Sequence, residues 1–247
     1  MAILLVAAPR ADGRDRQPTG TGRPGLPTAV TVEMQAWAHH AVAGVEDDLS
    51  RLRALHGPLT REGAQKVHEI LGPTPTAALA FASRRADCVG FALLLVTLAR
   101  SVGIDAGYVL VATEQPAAGL GSLRVLRSHL AVTFADRVFD LAGEEAFVPA
   151  RHHRILDRSA LAVFYSNRGA QELASGHAAE AVDFLWQALR LDPSLGPVWS
   201  NLGVALRRSG DAAGAVLAHE MALRLDPGDA NALLNLSIAR ADTDSAP

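Results

Sequence analysis

Cysteine is almost missing from the 247-residue sequence, which contains only Cys88. A single cysteine excludes a disulfide within the chain, so the sequence gives no sign of an oxidising compartment. Aromatic residues are also few, at 5%, and neither sign of charge dominates, with 23 basic against 26 acidic residues and a net charge of -3. Such a balance gives no electrostatic footprint for nucleic acid or an anionic membrane. The sequence therefore predicts neither kind of partner.

Long apolar runs are missing as well, since none approaches the roughly 20 residues that a membrane-spanning helix requires. The apolar opening, residues 1–8, has no basic segment before it and ends at a proline, so we expect a cytoplasmic protein. Residues 10–28 are rich in glycine, proline, arginine, aspartate and threonine, which predicts a flexible leader over residues 1–29. The remaining chain, at 49% hydrophobic residues overall, can fill one large core or two modest ones.

Three helices are predicted between the leader and the cysteine. Residues 30–55 show a helical pattern, and residues 61–71 form a second candidate helix after a Thr60 cap. A third helix begins after Thr76 and runs up to the turn that carries the cysteine. The inward stripe of the first helix is expected to contain Val32, Trp37, Val42, Val45, Leu49 and Leu52.

Cys88 stands where a buried helix is predicted to begin. Residues 89–99 are apolar except for Gly90 and Thr97, and Gly103 is a helix stop. The partial positive charge of a helix N-terminus favours a thiolate, so we expect a lowered pKa for the thiol and a candidate nucleophile. The alternative is that this cysteine is a small buried filler, as lone cysteines beside apolar runs commonly are.

Three strands are predicted after this helix, at residues 106–112, 129–134 and 138–141. The short connection at residues 135–137 predicts that the last two strands form a hairpin. Glycine and proline in residues 114–126 indicate an exposed loop before the second strand.

The hairpin would bring two polar residues together, because His129 opens one of its strands and Asp140 lies on the other. A catalytic thiol needs a base to take its proton, and the imidazole needs a carboxylate to hold its tautomer. Cys88, His129 and Asp140 can fill these three roles.

The same residues carry a resemblance to the transglutaminase-like superfamily, relatives of the papain-like cysteine proteases. In that family a cysteine turn begins a buried helix with a Leu-Ala-Arg-x-x-Gly-[Ile/Leu] end, followed by a histidine strand and an aspartate strand. The corresponding segments here are residues 87–88, 98–104, 128–132 and 138–140. Two positions depart from the family pattern, since Ala86 replaces a glycine and Ala131 replaces an aromatic residue.

The resemblance spans about residues 55–150. It implies an α+β domain over residues 30–153, in which a helix bundle with a small antiparallel sheet forms a papain/transglutaminase-like core. It also implies a Cys88, His129 and Asp140 triad.

No metal or cofactor is predicted. The adjacent histidines at positions 39–40 and 152–153 point in different directions on a helix or a strand. No cysteine or carboxylate cluster at zinc spacing completes either pair into a tetrahedral set.

The last third of the sequence repeats itself with the period of tetratricopeptide repeats, which is about 34 residues. The matching positions are Asn167 and Asn201, Gly169 and Gly203, Gly176 and Gly210, Ala181 and Ala215, and the Leu-Asp-Pro segments at 191–193 and 225–227. We therefore predict about two and a half all-helical repeats over residues 154–240 and a disordered tail at 241–247. Asp157 or Ser159 is expected to cap the first repeat helix.

Most of the chain thus resembles bacterial proteins that fuse a transglutaminase-like domain to tetratricopeptide repeats. The resemblance implies a cysteine-dependent acyl hydrolase or transferase, whether protease, amidase or transglutaminase-like, with repeats that hold a protein partner or substrate. The alternative is a catalytically inactive scaffold for protein–protein interaction. The sequence decides neither this question nor the choice between hydrolysis and transfer.

Overall fold

The computed structural model describes residues 26–116, 124–143, 145–147 and 152–244. The helices of these residues are α1 (Val32–Ala41), α2 (Asp48–Thr60), α3 (Ala77–Ser83), α4 (Cys88–Ser101), α5 (Asp157–Ala174), α6 (Ala178–Leu191), α7 (Gly196–Arg208), α8 (Ala212–Leu225) and α9 (Ala230–Asp244). The strands are β1 (His68–Glu69), β2 (Arg85–Ala86), β3 (Gly107–Pro116), β4 (Arg124–Phe134), β5 (Arg137–Phe139), β6 (Glu145–Phe147) and β7 (His152–Ile155). None of these described helices is both long and apolar enough to cross a membrane.

The chain divides into two units within α5, one up to Ala160 and one from Leu161. The first unit is an α+β fold, with α1–α4 beside a small antiparallel sheet, and the α+β prediction is confirmed.

Helix α4 is the centre of the first unit, because α1, α2, α3 and β4 all pack against it. Every residue from Val89 to Ala99 is buried, so this helix has no solvent-facing stripe over that length. Its C-terminus closes at Gly103, where φ is +85° and the next residue, Ile104, donates its N–H to the carbonyl of Ala99 at 3.0 Å. The predicted buried helix and its glycine stop are confirmed.

The single helix predicted over residues 30–55 is wrong, because the chain forms α1 and α2 with a break between them. Gly44 in that break has a φ of +76°, which ends the helical path, and Asp47 caps α2. Only two members of the predicted stripe, Val42 and Leu52, are buried, and Val32 is 80% exposed. The buried residues of α1 and α2 are Met34, Ala38, Leu52, Leu55, His56 and Leu59.

The helix predicted over residues 61–71 is also wrong. Thr60 is the last residue of α2 rather than a cap for a following helix, and its hydroxyl donates to the carbonyl of His56. Gly63, at a φ of +155°, interrupts any helical path through the following segment. Only Val67 of that segment is buried. The segment instead ends in β1, which pairs in parallel with β2 just before the cysteine.

The third predicted helix is confirmed at its start and shorter than expected at its end. The Thr76 side chain accepts a hydrogen bond from the N–H of Leu79, so it caps α3. Arg84 then adopts a left-handed φ of +55°, which ends the helix before β2.

The main sheet has the strand order β6-β5-β4-β3-β7, with antiparallel pairing throughout. The loop predicted over residues 114–126 is wrong at both ends, because β3 and β4 pair as far as Pro116 and Arg124, which gives their backbone groups partners. Residues 117–123 of that prediction lie outside the described chain. Strand β7, which the sequence did not indicate, pairs with β3.

The predicted hairpin of β4 and β5 is confirmed. Phe134 pairs with Arg137 across a two-residue turn, and Ala135 in that turn has a φ of +51°. A left-handed first residue is the geometry that matches the twist of a two-residue hairpin.

The second unit, from Leu161, is all helical, and its helix bounds recur with the period found in the sequence. Helix α8 begins and ends one period after α6, and α9 begins one period after α7. Close approaches recur as well: a Cβ on Gly169 would lie 2.7 Å from Leu185, and one on Gly203 would lie 2.5 Å from His219. The buried core of this unit includes Leu173, Ala181, Leu185, Leu189, Val198, Leu202 and Ala218.

Helix α5 begins with Asp157 itself, so Asp157 and Ser159 lie in its first turn rather than before it. The backbone carbonyl of Leu156 accepts the first helical hydrogen bonds, from the N–H groups of Ser159 and Ala160. This placement puts the capping position at Leu156, one residue before Asp157 and three before Ser159.

Candidate active site

Cys88 is the first residue of α4, and the residue before it holds the turn. One carboxylate oxygen of Asp87 accepts the N–H of Gly90 at 2.8 Å, and the other accepts the hydroxyl of the buried Thr74. Gly90 is required here, since a Cβ at that position would lie 2.7 Å from ring carbons of Pro75. The helix start is therefore fixed by packing and by hydrogen bonds.

Ala86, which replaces the family glycine, fits its place without strain. It is fully buried at the end of β2, and its φ is not positive, so the backbone does not need a glycine there. Its carbonyl accepts the N–H of Ile70 at 3.1 Å, and this bond ties the chain before Cys88 to β1.

The expected low pKa of the Cys88 thiol is wrong. Burial, and after it the carboxylate of Asp87, raise the pKa of this free thiol from its ordinary value of 9.0 to about 11. Hydrogen bonds from the backbone amides of Leu130 and Val89 lower the pKa only in part, and Glu69 adds a further negative charge. At neutral pH the resting group is a thiol, because desolvation and neighbouring carboxylates outweigh the helix N-terminus.

The pairing of β4 with β5 ends at Val132 and Phe139, two residues from Leu130 on β4. Across a two-residue turn the flanking residues form a hydrogen-bonded pair, and such pairs recur at every second residue. The backbone groups of Val132 therefore face Phe139, the last residue of β5. Those of Leu130 point to the same side, beyond the end of that strand.

The Cys88 thiol meets β4 just beyond this pairing, where the N–H of Leu130 forms a hydrogen bond toward the sulfur. That N–H belongs to the peptide that joins His129 to Leu130. The thiol at the start of α4 thus lies against the peptide that follows His129.

His129 lies within β4 rather than at its start, opposite Val111 on β3. Asp140 follows β5 by one residue, and continuing the β4–β5 register places it opposite Ala131. The β4–β5 pairing itself ends at Phe139, so Asp140 lies one residue beyond the part of β5 that pairs with β4. Ala131 itself is buried with Val109, where its small side chain takes the place of the family aromatic.

Two residues near the site carry no signal in the sequence. His56 on α2 is buried and has a ring nitrogen, Nε2, 2.7 Å from the carbonyl oxygen of Asp140. Burial lowers the pKa of His56, so its imidazole is neutral at neutral pH. Thr74 is the second such residue, and its hydroxyl donates a hydrogen bond to the carboxylate of Asp87. Both contacts join distant parts of the chain, which no local pattern reveals.

Arg100, in the family signature at the end of α4, has a structural role. It donates to the carbonyl of Ala106 at 3.0 Å and pairs through two nitrogens with the carboxylate of Asp157. Its guanidinium also lies over the ring of Tyr108, 5.8 Å from the centroid. This arginine therefore joins the end of α4 to the start of β3 and the start of α5.

Across the described ranges, no three histidine, cysteine or acidic residues are grouped so that they could hold a metal ion. His39 and His40 are exposed in the last turn of α1.

Among curated proteins, none matches the chain. A family match exists for part of it, residues 35–143, a stretch that runs from α1 through the β4–β5 hairpin and contains all three candidate residues. The model that these residues match is that of the transglutaminase-like superfamily, so this part of the chain is similar to that superfamily.

Proposed function

We propose that the protein is a cysteine-dependent acyl hydrolase or transferase. In this proposal Cys88 is the nucleophile, His129 is the general base and acid, and Asp140 orients the imidazole. The observation that carries the proposal is the position of the Cys88 thiol, at the N-terminus of a buried helix and against the peptide that follows His129. The transglutaminase-like match over residues 35–143 supports the same chemistry.

The raised pKa of Cys88 determines how the reaction begins. Because the resting group is a thiol, the sulfur attacks the substrate carbonyl as His129 takes its proton, instead of reacting from a preformed thiolate. A carbon–sulfur bond forms, the carbonyl becomes a tetrahedral oxyanion, and collapse of this intermediate breaks the carbon–nitrogen bond. His129 returns the proton to the departing amine, which leaves a thioester on Cys88.

The second half of the reaction restores the enzyme. Water attacks the thioester in hydrolysis and an amine attacks it in transfer, and in both cases His129 removes the proton of the attacking group and returns a proton to the sulfur. The site has backbone amides for the oxyanion, because the first-turn N–H groups of α4 have no partner within the helix. We assign the N–H group of Cys88 to this role.

The helical unit is assigned to tetratricopeptide repeats over residues 154–240, as in bacterial fusions of this kind. Its support is the recurrence of helix bounds at the tetratricopeptide period, and of glycines at φ +87° and +95° in the turns at Gly176 and Gly210. Helices of such an array present an extended surface to peptides, and we propose that this surface recruits a protein substrate or partner. A reducing, cytoplasmic location suits a reaction that needs a free thiol.

A scaffold without catalysis is the second candidate function. The raised pKa of Cys88 favours it, because a buried thiol is less reactive than an exposed one. In that case the transglutaminase-like domain would be a platform for the repeats.

Acylation of the purified protein by p-nitrophenyl acetate at pH 7 distinguishes the two functions. We expect Cys88 to be acylated, as located by mass spectrometry of the digested protein, and Cys88→Ala to abolish acylation at this position. His129→Ala should slow acylation by about a hundredfold or more, because it removes the general base. His39→Ala, which removes an exposed histidine of the same unit, is the matched control and should have no effect.

Equal acylation rates for the native protein and His129→Ala would refute the enzyme proposal. Loss of acylation in both His129→Ala and His39→Ala, with native circular dichroism spectra, would show that the control histidine also affects the site. That result would refute the assigned roles.

A further inference from the structure

The carbonyl of Asp140 is held by two hydrogen bonds just where the chain leaves β5. The Nε2 atom of His56 lies 2.7 Å from this oxygen, and the N–H of Gly143 lies 3.3 Å from it. Gly143 has a φ of +86°, so the segment after Asp140 turns sharply back toward α2. The backbone of Asp140 is therefore anchored on both sides of the turn.

One face of α2 follows this turn along its length. Arg53, His56 and Thr60 are spaced three and four residues apart, so they share a side of the helix. Arg53 forms two hydrogen bonds to the carboxylate of Glu145, at 2.8 and 2.6 Å. At the other end, a Cβ on Gly143 would lie 3.3 Å from Thr60, so the turn already approaches the helix closely. We call these three residues the α2 clamp.

The central member of the clamp also touches the helix that carries the cysteine. The His56 ring packs edge-on against Phe91, with ring centroids 6.0 Å apart, and against Phe139 at 5.3 Å. Phe91 lies three residues after Cys88, and Phe139 comes directly before Asp140. The imidazole thus fills the space between the start of α4 and the end of β5.

The state of the His56 ring follows from its surroundings. It is only 5% exposed, and burial lowers its pKa, so it is neutral at neutral pH. A carbonyl oxygen accepts, so the neutral ring donates its proton from Nε2 to Asp140. A buried ring that both packs and donates fixes a backbone position more narrowly than packing alone, because losing the donor leaves a buried carbonyl short of a partner.

We propose that His56 is a positioning residue, which sets the Asp140 carboxylate relative to His129 through its hydrogen bond to the Asp140 carbonyl. The proposal rests on the proposed function, because it presumes that Asp140 orients His129. In this proposal α2, which carries none of the three triad residues, helps to position one of them.

The test measures how strongly Asp140 and His56 depend on each other. The readout is the factor by which Asp140→Asn slows acylation of Cys88 by p-nitrophenyl acetate. In the otherwise native protein we expect about tenfold or more, because the imidazole loses the carboxylate that fixes its tautomer. In a His56→Phe background, which keeps an aromatic ring but has no donor, the factor should fall to about twofold or less.

Further variants separate positioning from general support of the fold. His56→Gln keeps a donor, so it should retain most of the Asp140 effect. His56→Met has no donor and fills the space flexibly, so it replaces His56→Phe if that variant does not fold. His219→Leu is the matched control, a second buried histidine in the other unit, and it should leave the Asp140 effect unchanged.

The outcomes distinguish the two proposals. If Asp140→Asn alone leaves acylation unchanged, then the proposed triad is wrong and the role of His56 falls with it. If Asp140→Asn slows acylation and the factor stays the same without the His56 donor, the triad stands and the positioning role is refuted. If the Asp140→Asn factor in the His56→Gln background falls as low as in the His56→Phe background, then the ring matters and its hydrogen bond does not. That result also refutes the positioning role.

Discussion

Replacing Asp87 by asparagine tests why the Cys88 thiol stays protonated. The carboxylate of Asp87 is the largest cause of the raised pKa after burial, and the substitution removes its charge. The fold should tolerate the change, since asparagine caps helices as well as aspartate does and its side-chain oxygen can still accept the N–H of Gly90. Its amide can donate to the hydroxyl of Thr74 in place of the bond it loses. The perturbation is therefore almost purely electrostatic.

The magnitude follows from the total rise in pKa. A pKa of about 11 in place of 9.0 means about a hundredfold less thiolate at neutral pH, and burial accounts for the larger part. We expect Asp87→Asn to lower the pKa of Cys88 and to raise the thiolate population about three- to tenfold. Iodoacetamide alkylation, followed from about pH 6 to 11, reports this population, because only the thiolate reacts.

The expected profile has a definite sign. The alkylation rate of Asp87→Asn should exceed the native rate by that factor at pH 7, and the two rates should approach each other toward pH 11, where the native thiol is about half ionised. Asp47→Asn is the matched control, because Asp47 caps α2 with the same 2.8 Å bond, to the N–H of Ser50, at another helix. Equal or slower alkylation of a folded Asp87→Asn protein at pH 7 would refute the electrostatic explanation.

Two further predictions concern stability. Gly90→Ala should lower the free energy of unfolding by about 1–3 kcal/mol in urea denaturation, because its Cβ would overlap the ring of Pro75, whereas Gly57→Ala, whose Cβ meets nothing nearer than 3.8 Å, should not destabilise the protein. His219→Leu places in α8 the residue found one period earlier, at Leu185, and removes two buried ring nitrogens that have no partner among the described residues. It should raise the melting temperature at pH 7. Burial lowers the folded-state pKa of His219, so native stability should fall as pH drops below about 6.5, and the variant should lose part of that slope; an unchanged slope would contradict this account.

The sequence was most informative where one local pattern decides the structure. The uninterrupted apolar run after Cys88 can only be a buried element, and the short connection after Phe134 favours a hairpin. The continuous helical pattern over residues 30–55 did not predict where α1 ends, because a single glycine with a left-handed φ, Gly44, separates α1 from α2. The spacing of apolar residues carries no information about the φ angle of a residue within the pattern.

The electrostatics of the site could not be predicted from local sequence. The expectation for Cys88 considered the helix N-terminus alone, while the pKa is set by burial and by carboxylates, one of which, Glu69, reaches the site through β1. The contact of His56 with Asp140 spans 84 residues, so only the folded chain brings the two together. Side chains that support the candidate site residues through long-range contacts leave no recognisable spacing pattern in the sequence.

The protonated state of the lone cysteine also bears on how the protein withstands oxidants. Peroxides convert thiolates to sulfenic acid, and glutathione disulfide exchanges with them, whereas a thiol reacts far more slowly. A pKa of about 11 keeps Cys88 in the less reactive thiol form at neutral pH. With no second cysteine in the chain to resolve a sulfenic acid as an internal disulfide, this chemical inertness is the protection that the sequence itself provides.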